Sequence, residues 1–407
     1  MKTKQWILSM PKRPHQVMYW RPKKISSAGL WAGMVVTLLG LAFVQMMPQR
    51  SAPDATLLTA AASKSHQAML HIKRLQQERG HRVISKLDPQ QSHLIGPSMS
   101  MVTSKLGSLE SKQTSINPNL SAVIVRWLKE AGVKPGDRIA IGASGSWPAF
   151  NIAVYSAAAS MDLKPTIILS AAASQYGAND PELMWVDMDR ELRGAGIFPS
   201  SYAAVASSLG GLYDRAAGTS EQTRLLLENA IERNGLERID GVDLADAVEQ
   251  RVQLYDQHRD NDSYAAYINI GGGSASIGGT KGNRCLGAGI HRTAPPAEEL
   301  PDCVASRMLC QNVPVINVVD AKGIAAQFGL PVAPVEMPEV GRGAIFTSSP
   351  FRRPFAAVVI GMTFLWMFLL VNPGWVFRSL AWIRRLGGKR SRPLVNEPVP
   401  QHLEWMV

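Results

Sequence analysis

Two long apolar runs without a charge, one near each end of the chain, constrain the fold more than any other feature. The first covers residues 25–49, between Lys24 and Arg50. The second covers residues 354–377, between Arg353 and Arg378. About 20 apolar residues, rising 1.5 Å each, cross the ~30 Å hydrocarbon core of a bilayer. Both runs reach that length, and Trp31, Trp366 and Trp375 suit helix ends near the interface. The first run is longer than the apolar part of a signal peptide. Met46-Met-Pro-Gln-Arg50 follows it, without the small residues of a cleavage site. Each run therefore predicts a transmembrane helix.

Charge supplies the orientation. The formal net charge of +11 is concentrated at the ends. Residues 1–24 carry Lys2, Lys4, Lys12, Arg13, Arg21, Lys23 and Lys24 with no acid. The tail carries Arg378, Arg384, Arg385, Lys389, Arg390 and Arg392 against Glu397 and Glu404. The part between is neutral, which removes the electrostatic basis for nucleic-acid binding. By the positive-inside rule both termini are expected in the cytoplasm of an inner (plasma) membrane protein, with the central part outside it. The lipid bilayer is thus the first expected partner. Gly29-x3-Gly33 in the first span fits a dimerisation face, so a homodimer is a second expectation.

The stretch between the spans divides into a juxtamembrane helix over 54–79, expected to stand on the membrane as a stalk, and an α/β domain over 80–350. Short apolar runs predict strands at 138–143, 166–170, 201–207, 264–270 and 314–319. Amphipathic or Pro-initiated segments predict helices at 118–131, 148–161, 181–194, 219–234, 242–258 and 320–328. This alternation implies a Rossmann-like open, mostly parallel sheet with helices on both faces. Residues 80–118, rich in Ser, Pro and Gly, carry no periodic pattern. Residues 278–312 and 331–350 read as loops or an excursion.

In such sheets ligands bind beyond the carboxyl ends of the strands. The loops expected there are Gly142-Ala-Ser144-Gly145-Ser146, the segment reaching Asn179 and Asp180, the Gly210-Gly211 turn, and Gly271-Gly272-Gly273-Ser274. Glycines let backbone N–H groups approach a ligand and hydroxyls add donors, so these residues are expected to line one polar pocket. Turn-making alone is the competing explanation for each loop. The cofactor stays open. Gly271-x-Gly273 lacks the third glycine of a dinucleotide fingerprint, and no P-loop occurs. Ser144 and Ser146 are candidate nucleophiles because Gly142-x-Ser144 approximates a strand-to-helix nucleophile elbow. The downstream histidines are His258 and His291, neither with an evident acid partner. An acidic metal site through Asn179, Asp180, Asp187 and Asp189 is a weaker alternative, and no zinc-ligand spacing surrounds the cysteines. Cys303 and Cys310 are close enough in sequence to suggest a disulfide in an exported domain.

Several strings in this order resemble the poly-γ-glutamate system protein family. They are Gly107-Ser-Leu-Glu-Ser-Lys-Gln-Thr-Ser-Ile-Asn-Pro-Asn119, Val125-Arg-Trp-Leu-Lys-Glu-Ala-Gly-Val-Lys-Pro-Gly-Asp137, Gly145-Ser-Trp-Pro-Ala-Phe-Asn-Ile-Ala153, Trp185-Val-Asp-Met-Asp189, Ala206-Ser-Ser-Leu-Gly-Gly211 and Ile268-Asn-Ile-Gly-Gly-Gly-Ser-Ala-Ser276. The resemblance covers residues 55–345. It implies an accessory membrane protein working with other membrane subunits of a machine that makes or exports the polymer, and it carries no catalytic residues. An envelope or polymer-directed hydrolase or transferase using Ser144 or Ser146, and a non-catalytic scaffold, are the alternatives.

Overall fold

The computed structural model describes residues 26–47, 50–81, 83–259, 262–296, 298–348 and 352–372. The two basic tails and the end of the second apolar run, Trp375 included, lie outside them. The chain forms two compact units. One spans Gln49–Ser348, and the other contains the apolar helices.

The larger unit is α/β. Its sheet strands are β1 (Arg138–Gly142), β2 (Lys164–Ser170), β3 (Ala206–Ser208), β4 (Glu237–Ile239), β5 (Ala266–Ile270), β6 (Gly289–His291) and β7 (Val315–Val318). They lie in the order β4-β3-β2-β1-β5-β7-β6, parallel throughout except for β6, which runs antiparallel to β7. Its helices are α2 (Ala55–Glu78), α3 (Leu109–Ser115), α4 (Leu120–Ala131), α5 (Pro148–Ser160), α6 (Trp185–Gly194), α7 (Glu221–Arg233), α8 (Leu244–Gln257), α9 (Ser274–Ile277), α10 (Gly279–Leu286), α11 (Val304–Cys310) and α12 (Ala321–Gln327); α1 (Ser27–Met46) and α13 (Arg352–Val371) belong to the smaller unit.

The alternation of side chains along each strand divides the core in two. Ile139, Ile141, Ile167, Leu169, Ile268 and Ile316 face the core that includes α4 and α5. Ala140, Ile168, Tyr267 and Val315 face the core that includes α8 and α11. Strands buried on both faces are why these segments read as continuous apolar runs. Two strands lacked that signal. Glu237 and Arg238 of β4 are exposed, and β6 is only half-buried within the expected loop excursion. The strand expected at 201–207 begins instead at Ala206, because Ser200–Tyr202 closes a 3-10 turn.

The helix at the start of this unit is not a free-standing stalk. α2 buries Leu58, Ala61, Ala62, Ser65, Ala68, Met69 and Ile72, and it packs on α4 and α5. α5 is buried at every position from Pro148 to Ala158. A helix that is apolar or small-sided all round needs cover all round; α2 and α4 pack on it, and its side chains share one core with Ile139, Ile141 and Ile167 of the sheet. The chain enters and leaves this unit through a two-residue antiparallel ladder, Arg50 beside Ser348 and Ser51 beside Thr347.

In the smaller unit, α1 and α13 are each long and apolar enough to cross a membrane. They pair antiparallel: Gly29, Gly33 and Gly40 lie against Leu370, Trp366 and Val359 in turn. The Trp366 Nε1–H donates to the Gly29 carbonyl at 3.0 Å, and the Thr37 and Thr363 hydroxyls are 2.9 Å apart. A β-carbon on Gly33 would sit 2.7 Å from the Trp366 ring, so glycine is what allows this close approach. The Gly29-x3-Gly33 face is therefore filled by the chain's own second apolar helix, which removes the motif as an argument for a homodimer.

The cysteines are also corrected. All three are free. Cys303 caps α11 at its start and Cys310 is its last residue. Seven residues of helix separate them by about 10 Å, beyond the ~7 Å reach between Cα atoms of a disulfide.

Candidate functional site

The carboxyl ends of β1, β2, β3, β5 and β7 share one edge, as parallel pairing requires. β1 lies where the topology reverses. From it the chain winds outward through β2, β3 and β4, then returns to place β5 on the other flank of β1. Loops leaving adjacent strands in opposite directions open a crevice at that point.

That edge is not one open pocket. The unpatterned segment before α3 lies across it as a strap. Ser104 N–H donates to Ala173 O at 2.8 Å, Gln175 N–H donates to Lys105 O at 3.0 Å, and the Gly107 N–H reaches the Gln175 side chain at 3.1 Å. Asn179, fully buried, spends its amide on Pro97 O and Thr103 Oγ1 at 2.9 and 2.8 Å. The strap separates residues expected to share a pocket. Gly211 faces Ser104 and Ala216 in a small void of 40 Å³. Asp180 pairs with His81 at 3.3 Å on another side. A β-carbon on Gly142 would meet the Tyr267 hydroxyl, one on Gly145 the Ala171 carbonyl, and one on Gly210 the Ser170 side chain. These glycines serve close packing. Gly273 and Ser274 start α9 beside Ser276 and Gly279.

What remains is a cleft of 520 Å³ at the switch point. From the expected set it retains Gly271 and Gly272. It adds Lys105 of the strap, Lys112 of α3, Trp147 and Ser174, with Asn283, Arg284 and Asp320 on the far wall. Gly271 adopts φ +92°, and a β-carbon there would collide with Trp147, so a glycine is required. At Gly272 two donors converge: a β-carbon would lie 2.9 Å from Asn283 Nδ2 and 3.1 Å from Lys105 Nζ.

Lys112 dominates the chemistry of this cleft. Only 2% of it is exposed. Its ammonium donates to Ser174 Oγ at 3.0 Å and to the Ser146 carbonyl, and it lies 3.9 Å above the Trp147 ring centroid. It makes no ion pair among the described residues. Burial, and secondarily the charge of Lys105, push its pKa down to about 7. α3 brings Lys112 here through its Ser108 N-cap, which accepts the Ser111 N–H at 3.3 Å.

The serines nominated from sequence lack a base. Ser144 Oγ accepts the Ser146 N–H at 3.2 Å, and Ser146 Oγ accepts the Ser174 N–H at 3.0 Å. His258 binds Leu254 O within its own helix, and His291 is influenced by Gly287. Neither reaches these serines. The acidic set is dispersed as well. Asp187 pairs with Arg233 at 2.5 Å and Asp189 with Arg193 at 3.0 Å.

Sequence reasoning missed Lys105, Lys112, Trp147 and Ser174. Trp147 and Ser174 lie in loops whose neighbours were nominated, but apolar and small residues at strand ends point equally to packing. Lys112 lies in a seven-residue helix, too short for a periodic signal. Comparison of the chain with protein-family models, with curated proteins and with solved structures finds no match.

Proposed function

We propose that this chain is a membrane-anchored accessory component of poly-γ-glutamate synthesis or export, and that the cleft beside Lys112 holds carboxylates of the polymer. The observation that carries the reading is the charged lining of the cleft, which among the described residues is Lys105, Lys112 and Arg284 against Asp320. A polycarboxylate complements that lining, and the donors converging on Gly272, Lys105 Nζ and Asn283 Nδ2, suit a carboxylate group.

The membrane setting rests on two further features. Apolar side chains around α1, including Leu30, Val35, Leu39 and Phe43, are exposed, as are Ile360, Phe364 and Trp366 of α13; bilayer hydrocarbon is the solvent such surfaces suit. The basic residues flanking the outer ends of the spans favour cytoplasmic termini.

Titration of detergent-solubilised full-length protein with oligo-γ-glutamate tests the ligand. Wild type should bind with an affinity that falls as salt is added, and Lys105→Ala and Arg284→Ala should each weaken binding about tenfold or more, the scale of a charge-assisted hydrogen bond. Equal affinity in all three proteins would refute the reading. Orientation is read from Cys310, which is exposed: a membrane-impermeant thiol reagent should label it in intact spheroplasts. Labelling that requires permeabilisation would place the domain in the cytoplasm.

A further inference from the structure

We infer that Ser174 and Lys112 form a nucleophile–base pair, and that the cleft cleaves amide bonds flanked by carboxylates. The substrate class rests on the anion-binding reading above, whereas the pair itself rests on geometry. Lys112 Nζ is 3.0 Å from Ser174 Oγ, within proton-transfer reach. Both ends of that contact are held. The Ser174 N–H is anchored on Ser146 Oγ, while the Ser146 carbonyl and the Trp147 ring fix the Lys112 side chain. Both residues, though buried, line the same cleft as Gly271 and Gly272, the space that a substrate would fill.

A serine is a weak nucleophile until an adjacent base takes its proton, and lysine serves as that base in Ser–Lys enzymes. An ordinary lysine is protonated at neutral pH and cannot accept. Desolvation lowers that obstacle here, because burial pushes the Lys112 pKa down to about 7, so that the free amine is accessible near neutral pH. Among the described residues no carboxylate pairs with Lys112 to restore the charge. Glu110, on the same helix, is held by Lys322 at 2.7 Å, and Asp320, Arg284 and Lys105 are the other charged groups on the cleft wall.

The reaction balances with water as the only co-reactant. Ser174 Oγ attacks the amide carbonyl carbon, and its proton passes to Lys112 Nζ. The carbon–nitrogen bond breaks as Lys112 returns that proton to the leaving amine. Water then attacks the Ser174 ester, losing a proton to Lys112; the carbon–Oγ bond breaks as Lys112 returns that proton to Ser174 Oγ, which restores the serine and the free amine and releases a carboxylic acid that ionises in water. Ser146 and Trp147 act through their neighbours and are positioning residues.

The test uses a fluorophosphonate active-serine probe on detergent-solubilised full-length protein, with the adduct mapped by mass spectrometry. Wild type should be modified at Ser174, at a rate that rises as pH passes through about 7. Ser174→Ala should abolish the adduct. Lys112→Arg, which stays charged, should slow it at least a hundredfold, and Ser144→Ala should leave it intact. Absence of a Ser174 adduct in folded wild-type protein, or an equal rate in Lys112→Arg, would overturn the inference. Because the probe carries no carboxylate, a Ser174 adduct in a protein that fails to bind oligo-γ-glutamate would reject the anion reading and leave the pair standing.

Discussion

Arg251 and Lys112 are both buried cations behind the carboxyl ends of the strands, 1% and 2% exposed. Their surroundings are opposite. Arg251 of α8 donates to Asp214 Oδ2 at 2.7 Å, to Ser208 Oγ at 2.7 Å and to Ser170 Oγ at 3.0 Å. The Ser208 hydroxyl in turn donates to Asp214 Oδ1 at 2.7 Å. This network is charge-neutral and closed, and it clamps the turn in which Tyr213 and Asp214 adopt positive φ. Lys112 has a hydroxyl, a carbonyl and an aromatic face around it, but no counter-charge among the described residues. A buried cation with a carboxylate is consistent with architecture, because the protein has already satisfied it. One without a carboxylate, facing a cleft, has chemistry left to do.

Breaking the closed network should have the largest effect. Asp214→Asn leaves Arg251 buried and charged, and should destabilise the domain by about 3–5 kcal/mol, read as a large fall in thermal midpoint. A change near zero would mean that the pair is no more structural than Lys112.

The second effect is the pH dependence of stability. The folded pKa of Lys112 is below its unfolded value, so between about pH 7 and 10 the unfolded chain binds more protons at this site than the folded one. Stability should therefore rise with pH across that window, with the penalty fully present below it. The gain is on the order of 2 kcal/mol over two pH units. Denaturant melts at pH 7 and pH 9 should show it in wild type but not in Lys112→Met. A parallel response in both proteins would remove Lys112 as the source and weaken the comparison.

The smallest effect concerns the support beneath Ser174. Ser146→Ala removes the acceptor of the Ser174 N–H and should cost about 0.5–1.5 kcal/mol. It should also slow adduct formation at Ser174 more than it lowers stability, since its main role is placement. A stability loss with no change in labelling would make Ser146 purely structural.

Much of the architecture was legible in the residues because its signals are local. Pro148 at the start of α5, the Lys134-Pro-Gly-Asp137 turn before β1, and the runs at 138–142 and 266–270 each declare an element within a few positions. The parallel order follows from strands alternating with helices. The two apolar helices were equally plain, since length and absence of charge are one-dimensional properties. β4 and β6 were hidden because a short or solvent-facing strand has no apolar run to display.

The sequence by itself thus determined the longer helices, the buried central strands and where the membrane-length apolar runs lie, whereas β4, β6 and the short helices α3, α10 and α11 fell in segments without a readable pattern. Tertiary structure alone decided which small polar residues meet. Lys112 reaches Ser174 across 62 positions, and Thr103 is bridged to Ala173 across a similar span. The same strap that brings Lys105 to Gly272 also separates Asn179 and Gly210 from them. The physical reason is that local propensity acts over a turn or two, whereas the burial that strips Lys112 of water is set by segments remote in sequence, whose pairing no periodicity records.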